Sequence, residues 1–169
     1  MSDADEAAFR AFAHTRRPAL RRTAYLMCGD WHQADDLVQT ALTKLYVAWR
    51  RVRGDEAPDA YARRILTRCF LDERRRPWRR ESPVETFDEQ AVLVVERPDE
   101  SALDLRDALA QLPPRQRATV VLRFWADASV AETADVLRCS EGTVKSQTAR
   151  ALTTLRSLLA DPVLVEETS

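Results

Sequence analysis

Glycine is almost missing from this chain. Only Gly29, Gly54 and Gly142 occur in 169 residues, far apart, so no glycine-rich loop exists to wrap the phosphates of a nucleotide. Cysteine is as scarce: Cys28, Cys69 and Cys139 stand alone, with no CxxC and no Cys-His pair. That excludes a disulfide framework and a structural zinc site and leaves three small buried hydrophobes as the plain reading. His14 and His32 are equally isolated and read as structural. Lysine is reduced to Lys44 and Lys145, so nearly every cation is an arginine. No apolar run nears the roughly 20 residues of a membrane span. The acidic start MSDADEAAFRAF has no signal-peptide pattern, so a cytoplasmic protein without a membrane partner is expected. Nothing in these patterns calls for a metal or another cofactor.

What is present is a segregation of charge behind a net of -1. From Arg50 to Arg80, eleven arginines stand against five acids (Asp55, Glu56, Asp59, Asp72, Glu73). From Glu81 to Glu100, seven acids meet Arg97 alone, and from Pro113 to Arg156 seven basic residues face four acids. Two basic blocks around an acidic one predict two surfaces for a polyanion and a segment that avoids or imitates it.

Helical periodicity runs through both basic blocks, and no strand alternation stands out, so the expected class is all-α: two small helical domains joined by an acidic linker. A first helix spans Glu6 to about Met27, with Phe9, Phe12, Leu20, Ala24 and Leu26 apolar. Gly29 suits its C-cap, and Asp30 can cap the next helix. The second helix, Ala34 to about Val52, places Leu37, Ala41, Leu45 and Ala48 on one face. RGDEAPD turns the chain, and Pro58 opens a third helix reaching about Arg76, with Tyr61, Ile65, Leu66, Cys69 and Phe70 inside. Pro77 stops it. Residues 81–101, interrupted by Pro83 and Pro98, form the linker, in which AVLVV reads equally as a short strand or an apolar anchor. Four more helices come after it: Ala102–Gln111, Arg115 to about Trp125, Val130–Leu137 behind a Ser129 cap, and one beginning at Ser140.

The last two helices, joined by RCS, form a helix-turn-helix, and Ala134 is small enough to let them approach. In CSEGTVKSQTARALTTLR, Ser140 is the N-cap, while Val144, Thr148, Ala151, Leu152 and Leu155 mark the buried face. The opposite face carries Thr143, Ser146, Ala149 and Arg150, with Lys145 and Gln147 at its edges. Small centres ringed by long donors suit a DNA major groove: Ser146, Gln147 and Arg150 can reach base edges and phosphates, and Lys145 a phosphate or guanine. Thr143 and Ala149 allow close approach.

These residues also carry a family resemblance. ALDLRDALAQLPPRQRATVVLRFWADASVAETADVLRCSEGTVKSQTARALTTLR resembles region 4 of a bacterial sigma-70 family sigma factor. FRAFAHTRRPALRRTAYLMCGDWHQADDLVQTALTKLYVAWRRV, together with APDAYARRILTRCFLDERRR after it, resembles region 2. Both are similar to the extracytoplasmic-function group, its SigE-type members in particular. The resemblance implies region 2 over 5–80, a linker over 81–101 and region 4 over 102–160, in a protein that is not an enzyme. It would join core RNA polymerase, through the β′ clamp helices and the β flap, and direct initiation at promoter DNA. It allows for an anti-sigma factor without deciding whether one exists.

The resemblance assigns core binding to Asp35, Asp36, Gln39, Thr40 and Thr43 on the outer side of the second helix. It places a flipped -10 base in the VRGDEAP loop, with Arg53, Gly54 and Asp55. Arg63, Arg64, Arg68, Arg74 and Arg75 would hold single-stranded backbone, and Trp78, beyond Pro77, is free to stack. Tyr61 and Phe70 sit at core spacing. The linker would cross the polymerase active-site channel, imitating a nucleic-acid strand; a plain solubilising tether is the alternative. Lys145, Ser146 and Arg150 fall on the family's -35 contact positions. Arg115, Arg117 and Arg123, one helix earlier, would pin phosphates. Ala149 departs from members with a larger side chain there, and Arg138 stands where glycine is common in the turn.

Two other readings compete. A stand-alone helix-turn-helix regulator would bind paired half-sites as a dimer, but it leaves the N-terminal half without a role. A metal-dependent nuclease using Asp35, Asp36, Asp72 and Glu73 fails because adjacent helical residues do not converge on one point.

Overall fold

The computed structural model describes residues 1–55, 57–75 and 100–160, and these form seven helices. They are α1 (Asp3–Cys28), α2 (Trp31–Asp55), α3 (Pro58–Arg75), α4 (Glu100–Gln111), α5 (Pro114–Phe124), α6 (Val130–Leu137) and α7 (Glu141–Leu159). The expected linker lies outside the described residues except at its last positions, where α4 already begins at Glu100. Pro77 and Trp78 lie outside them as well.

The first three helices pack side by side. Ser2 and Asp5 close a capping box at the start of α1, and Gly29 ends it in the left-handed region at φ 76°, where a β-carbon would clash with the backbone. Asp30 then caps α2 through the backbone N–H of Gln33 at 2.8 Å, so the turn needs only two residues. On α2 the fully buried positions are Ala34, Leu37, Val38, Ala41, Leu45, Trp49 and Val52. This helical stripe meets Leu20, Ala24 and Met27 of α1 and Ala62, Leu66 and Phe70 of α3. The expected Ala48 is half-buried. Trp49, beside it, takes the inner place, where Phe9 and Phe12 approach its ring at 5.3 and 5.5 Å.

In the second half, α5 is the central helix. Residues Arg117 to Leu122 are all buried, because α4, α6 and α7 surround them. The β-branched run Thr119-Val120-Val121 is a weak helix former. Burial on every side outweighs that, since each Val contributes about 1.5–3 kcal/mol. Thr119 Oγ1 donates back to Arg115 O at 2.7 Å, satisfying its hydroxyl inside the helix. The two halves are not independent bodies on a string. Their buried side chains form one continuous cluster, with α1 and α3 packed against α5 and α4.

Candidate nucleic-acid interface

The helix-turn-helix forms as its sequence predicts. Ser129 Oγ and Glu132 close a capping box at α6, and Ser140 Oγ accepts from Thr143 N at 3.1 Å to start α7. Between them Arg138 adopts φ 53° and ψ 51°. The turn thus keeps the left-handed geometry that glycine usually supplies, with an arginine strained into it. Cys139 N donates to Ala134 O at 3.0 Å, tying the turn back onto α6. Val144, Ala151 and Leu155 are buried, as the face pattern requires.

On the other face, Lys145, Ser146, Ala149 and Arg150 are exposed. Ser146 Oγ is held by Thr143 O at 3.0 Å. Thr143 and Gln147 are half-buried and depart from an open reading face. The Thr143 hydroxyl shares a 2.9 Å hydrogen bond with Ser140 Oγ. Gln147 turns toward a cleft of about 360 Å³ that it lines with Leu71, Arg74, Arg75 and Arg115.

Arg117 is a correction. Expected to pin phosphates, it is only 6 % exposed. Its guanidinium donates to Met27 O at 2.7 Å, Ala110 O at 3.0 Å and Leu112 O at 2.9 Å. Burial, then the nearby Arg74, push its pKa down to about 10. It is a bolt between the halves, still charged at neutral pH. Arg115 is half-buried and donates to Leu137 O at 2.7 Å, closing the C-terminus of α6. Arg123 donates to Ala128 O at 2.5 Å, in the loop that leads into α6.

The basic helix α3 also differs from expectation. Arg63 pairs with Asp59, which Arg16 holds from α1 at 2.6 Å. Arg64 reaches the Asp135 carboxylate at 3.3 Å. Arg68 donates to Asp135 O at 3.0 Å and Val136 O at 3.2 Å, and burial, then Arg138 and Arg64, lower its pKa. Arg74 leans on Cys28 O at 3.4 Å, and Arg75 is exposed. Phe70 is fully buried, while Tyr61 lies half-buried under the guanidinium of Arg64, 5.0 Å from its ring centre. The expected VRGDEAP loop is largely helix. α2 runs through Gly54 to Asp55 because its last turn is anchored: Arg53 pairs with Asp5 at 2.5 Å.

The five α2 residues assigned to polymerase contact divide in two. Asp36, Gln39, Thr40 and Thr43 are exposed in one stripe, which continues to Val47, itself 84 % exposed. Asp35 is half-buried and accepts from Arg21 Nε at 2.7 Å, and that hydrogen bond holds its carboxyl below the usual 3.8 despite partial burial. Glu73, another acid of the nuclease reading, accepts from Gln33 Nε2 at 2.8 Å. Among the described residues no three His, Cys, Asp or Glu side chains gather where they could hold a metal. Cys28 is buried and its thiol is pushed up to about 11 by that burial. Asp135 and Val47 are not singled out by sequence. An acid on an amphipathic helix and a valine at a helix edge carry no distinguishing pattern there.

Comparison with known proteins decides the family. Residues 12–80 match the model for sigma-70 region 2, and 102–155 the model for sigma-70 region 4. The RNA polymerase sigma-E factor of Streptomyces coelicolor is 39% identical over 156 residues, 89% of this chain and 85% of its own. The chain belongs to the extracytoplasmic-function sigma factors. The SigM sigma factor of Mycobacterium tuberculosis is 34% identical over 157 residues, covering 92% of this chain and 79% of its own. Among solved structures, the sigma factor RpoE of Bartonella quintana, crystallised with the anti-sigma factor NepR, superposes with a TM-score of 0.76 at 25% identity. That match covers 92% of this chain and 98% of RpoE. CnrH, solved with the cytosolic domain of CnrY, shares the fold at a TM-score of 0.64 over 92% of this chain and 89% of its own. The sigma factor directs transcription initiation and is itself no catalyst, which sets aside both the stand-alone regulator and the nuclease. No helix among the described residues is long and apolar enough to cross a membrane.

Proposed function

We propose that this sigma factor binds core RNA polymerase through the exposed stripe of α2 and reads a duplex -35 element with the N-terminal half of α7. It would use the arginines of α3 to hold the melted -10 strand. The observation that carries the -35 assignment is the row Lys145, Ser146, Ala149 and Arg150. It stands open to solvent on a helix whose other face is buried and whose N-terminus is capped. The two cations can meet phosphate or guanine, while Ala149 lets the backbone approach the groove floor. On α2, Asp36, Gln39, Thr40 and Thr43 offer hydrogen-bonding groups and Val47 an apolar end, a composition suited to docking on the polymerase clamp helices. The β flap would contact region 4, and the acidic linker would thread the active-site channel.

Working with core polymerase, the protein would act in the cytoplasm. RpoE was crystallised with the anti-sigma factor NepR, and CnrH with the cytosolic domain of CnrY. By analogy, an anti-sigma factor is a partner for this chain. The test is co-elution with bacterial core polymerase, then run-off transcription from a genomic promoter library. Arg150→Ala should lower promoter-specific initiation with core binding intact, at about 1–3 kcal/mol of lost discrimination, roughly 5- to 150-fold. Asp36→Lys should impair assembly at every promoter. Equal loss of both activities in both variants would refute the division of labour between α2 and α7.

A further inference from the structure

The cleft of about 360 Å³ lies where the end of α3 meets the start of α5 and the middle of α7. Its cations are Arg74, Arg75 and Arg115, and no carboxylate lines it. Two of its side chains carry buried polar atoms with no hydrogen-bond partner among the described residues, Arg74 Nε and Gln147 Oε1. Such atoms are rare in folded proteins, because nothing replaces the water they lose. A half-turn of the Gln147 amide presents its NH2 to the cleft in place of the oxygen. The start of α5 adds to the positive field. Pro113 stands at its N-cap and Pro114 at N1, with no side-chain cap, so the N–H groups of Arg115 and Gln116 find no partner within the helix. Arg117 feels the same crowding of cations: burial, then Arg74, lower its pKa to about 10. An anion in the cleft would relieve that repulsion. The remaining walls, Leu71, Pro113 and Pro114, are apolar.

We propose that this cleft binds a nucleoside polyphosphate, its phosphates held by Arg74, Arg75 and Arg115 and its rings lying against Leu71, Pro113 and Pro114. A guanidinium offers a phosphate two parallel donors, and three guanidiniums match a chain of phosphates. The size agrees as well, since small-molecule sites are clefts of ~300–1,000 Å³ with apolar walls and a few polar groups. An inorganic phosphate would leave the apolar wall uncovered, and an uncharged ligand would leave the arginines unpaired. The cleft also joins distant parts of the chain: α3 belongs to region 2, α5 and α7 to region 4. A ligand that neutralises both sides would stabilise the packed chain by mass action. Such a site needs neither promoter nor polymerase.

Isothermal titration of the full chain with GTP and with ATP, at ~0.15 M salt, measures this binding directly. One site with a Kd at or below ~100 µM is expected. Inorganic triphosphate, which lacks the rings, should bind ~10-fold more weakly, and guanosine, which lacks the phosphates, should not bind. Arg75 is exposed and makes no ion pair or hydrogen bond among the described residues, so Arg75→Ala spares the fold and should weaken binding by ~10-fold or more. Arg22→Ala removes the same charge from an exposed position of α1 outside the cleft and should leave the Kd within ~2-fold. Gln147→Glu sets a carboxylate among the arginines, so it should abolish binding and raise the Tm of the unliganded chain. A Kd above ~1 mM for both nucleotides would overturn the site. Equal weakening in Arg75→Ala and Arg22→Ala would reduce it to diffuse attraction, and triphosphate binding as tightly as GTP would overturn the ring contact. Polymerase enters none of these readouts, so failure of the wild-type protein in core-dependent transcription would count against the functional reading separately.

Discussion

Replacing Arg117 by methionine isolates what the buried guanidinium contributes, because methionine keeps most of the aliphatic stem and removes only the charged fork. Three carbonyls would lose their donor: Met27 O at 2.7 Å, Ala110 O at 3.0 Å and Leu112 O at 2.9 Å. Hydrogen bonds from a charged group contribute about 1.5–3 kcal/mol each, or about 5–9 kcal/mol for three. Against this stands the burial of the charge. The fall of the pKa from 12.5 to about 10, at 1.36 kcal/mol per unit, corresponds to about 3 kcal/mol disfavouring the charged form. About 2–6 kcal/mol is left, so Arg117→Met should destabilise the protein by ~3 kcal/mol.

For a chain of this size that lowers Tm by about 6–12 °C in scanning calorimetry. The signature should be asymmetric. Ala110 O and Leu112 O lie within region 4, but Met27 O belongs to α1, so the melting of the two halves should also separate. Arg117→Lys, with one compact ammonium in place of the fork, should fall between wild type and methionine. A Tm unchanged within ~2 °C would refute the reasoning. It would mean that the burial penalty cancels the bonds, as happens when buried charges are exchanged for apolar groups of similar size.

Local geometry yields two further outcomes. Arg138 occupies the left-handed region at φ 53°, so Arg138→Gly should raise stability by about 0.4–1 kcal/mol, read from a urea midpoint shift at unchanged slope. Asp35 has a lowered carboxyl pKa through its hydrogen bond with Arg21. Its contribution is therefore present above the unfolded value and is lost as pH falls from about 3.8 through the lower folded value. Asp35→Asn should flatten the acid limb of the stability profile while changing nothing in its alkaline limb; an unaltered acid limb would place the acid sensitivity elsewhere.

Most of the architecture is legible in the sequence because helices announce themselves locally. Gly29, Asp30, Pro58, Ser129 and Ser140 all take the capping or opening positions that their chemistry suggests. The buried face of α7 comes directly from apolar spacing, and so does its exposed row of Lys145, Ser146, Ala149 and Arg150. The end of α2 is not legible in the same way, for a physical reason. Arg53 and Gly54 look like a turn, and a salt bridge to Asp5, 48 positions away, keeps them helical.

With arginine, local sequence stops deciding and tertiary structure takes over. A guanidinium's charge is known from its letter, but its acceptors are not. Arg117, Arg115 and Arg68 look alike in a basic stretch, yet each ends on backbone carbonyls of another helix, up to 90 positions away in the chain. Carbonyl groups belong to every residue and leave no trace in composition. Which of them lie at helix ends, and which arginines those ends face, is decided only when the halves pack. The sequence by itself therefore determined the helices, their caps and the two-part family architecture. Only the packed structure decided which cations stay open to a ligand and which the protein keeps for itself.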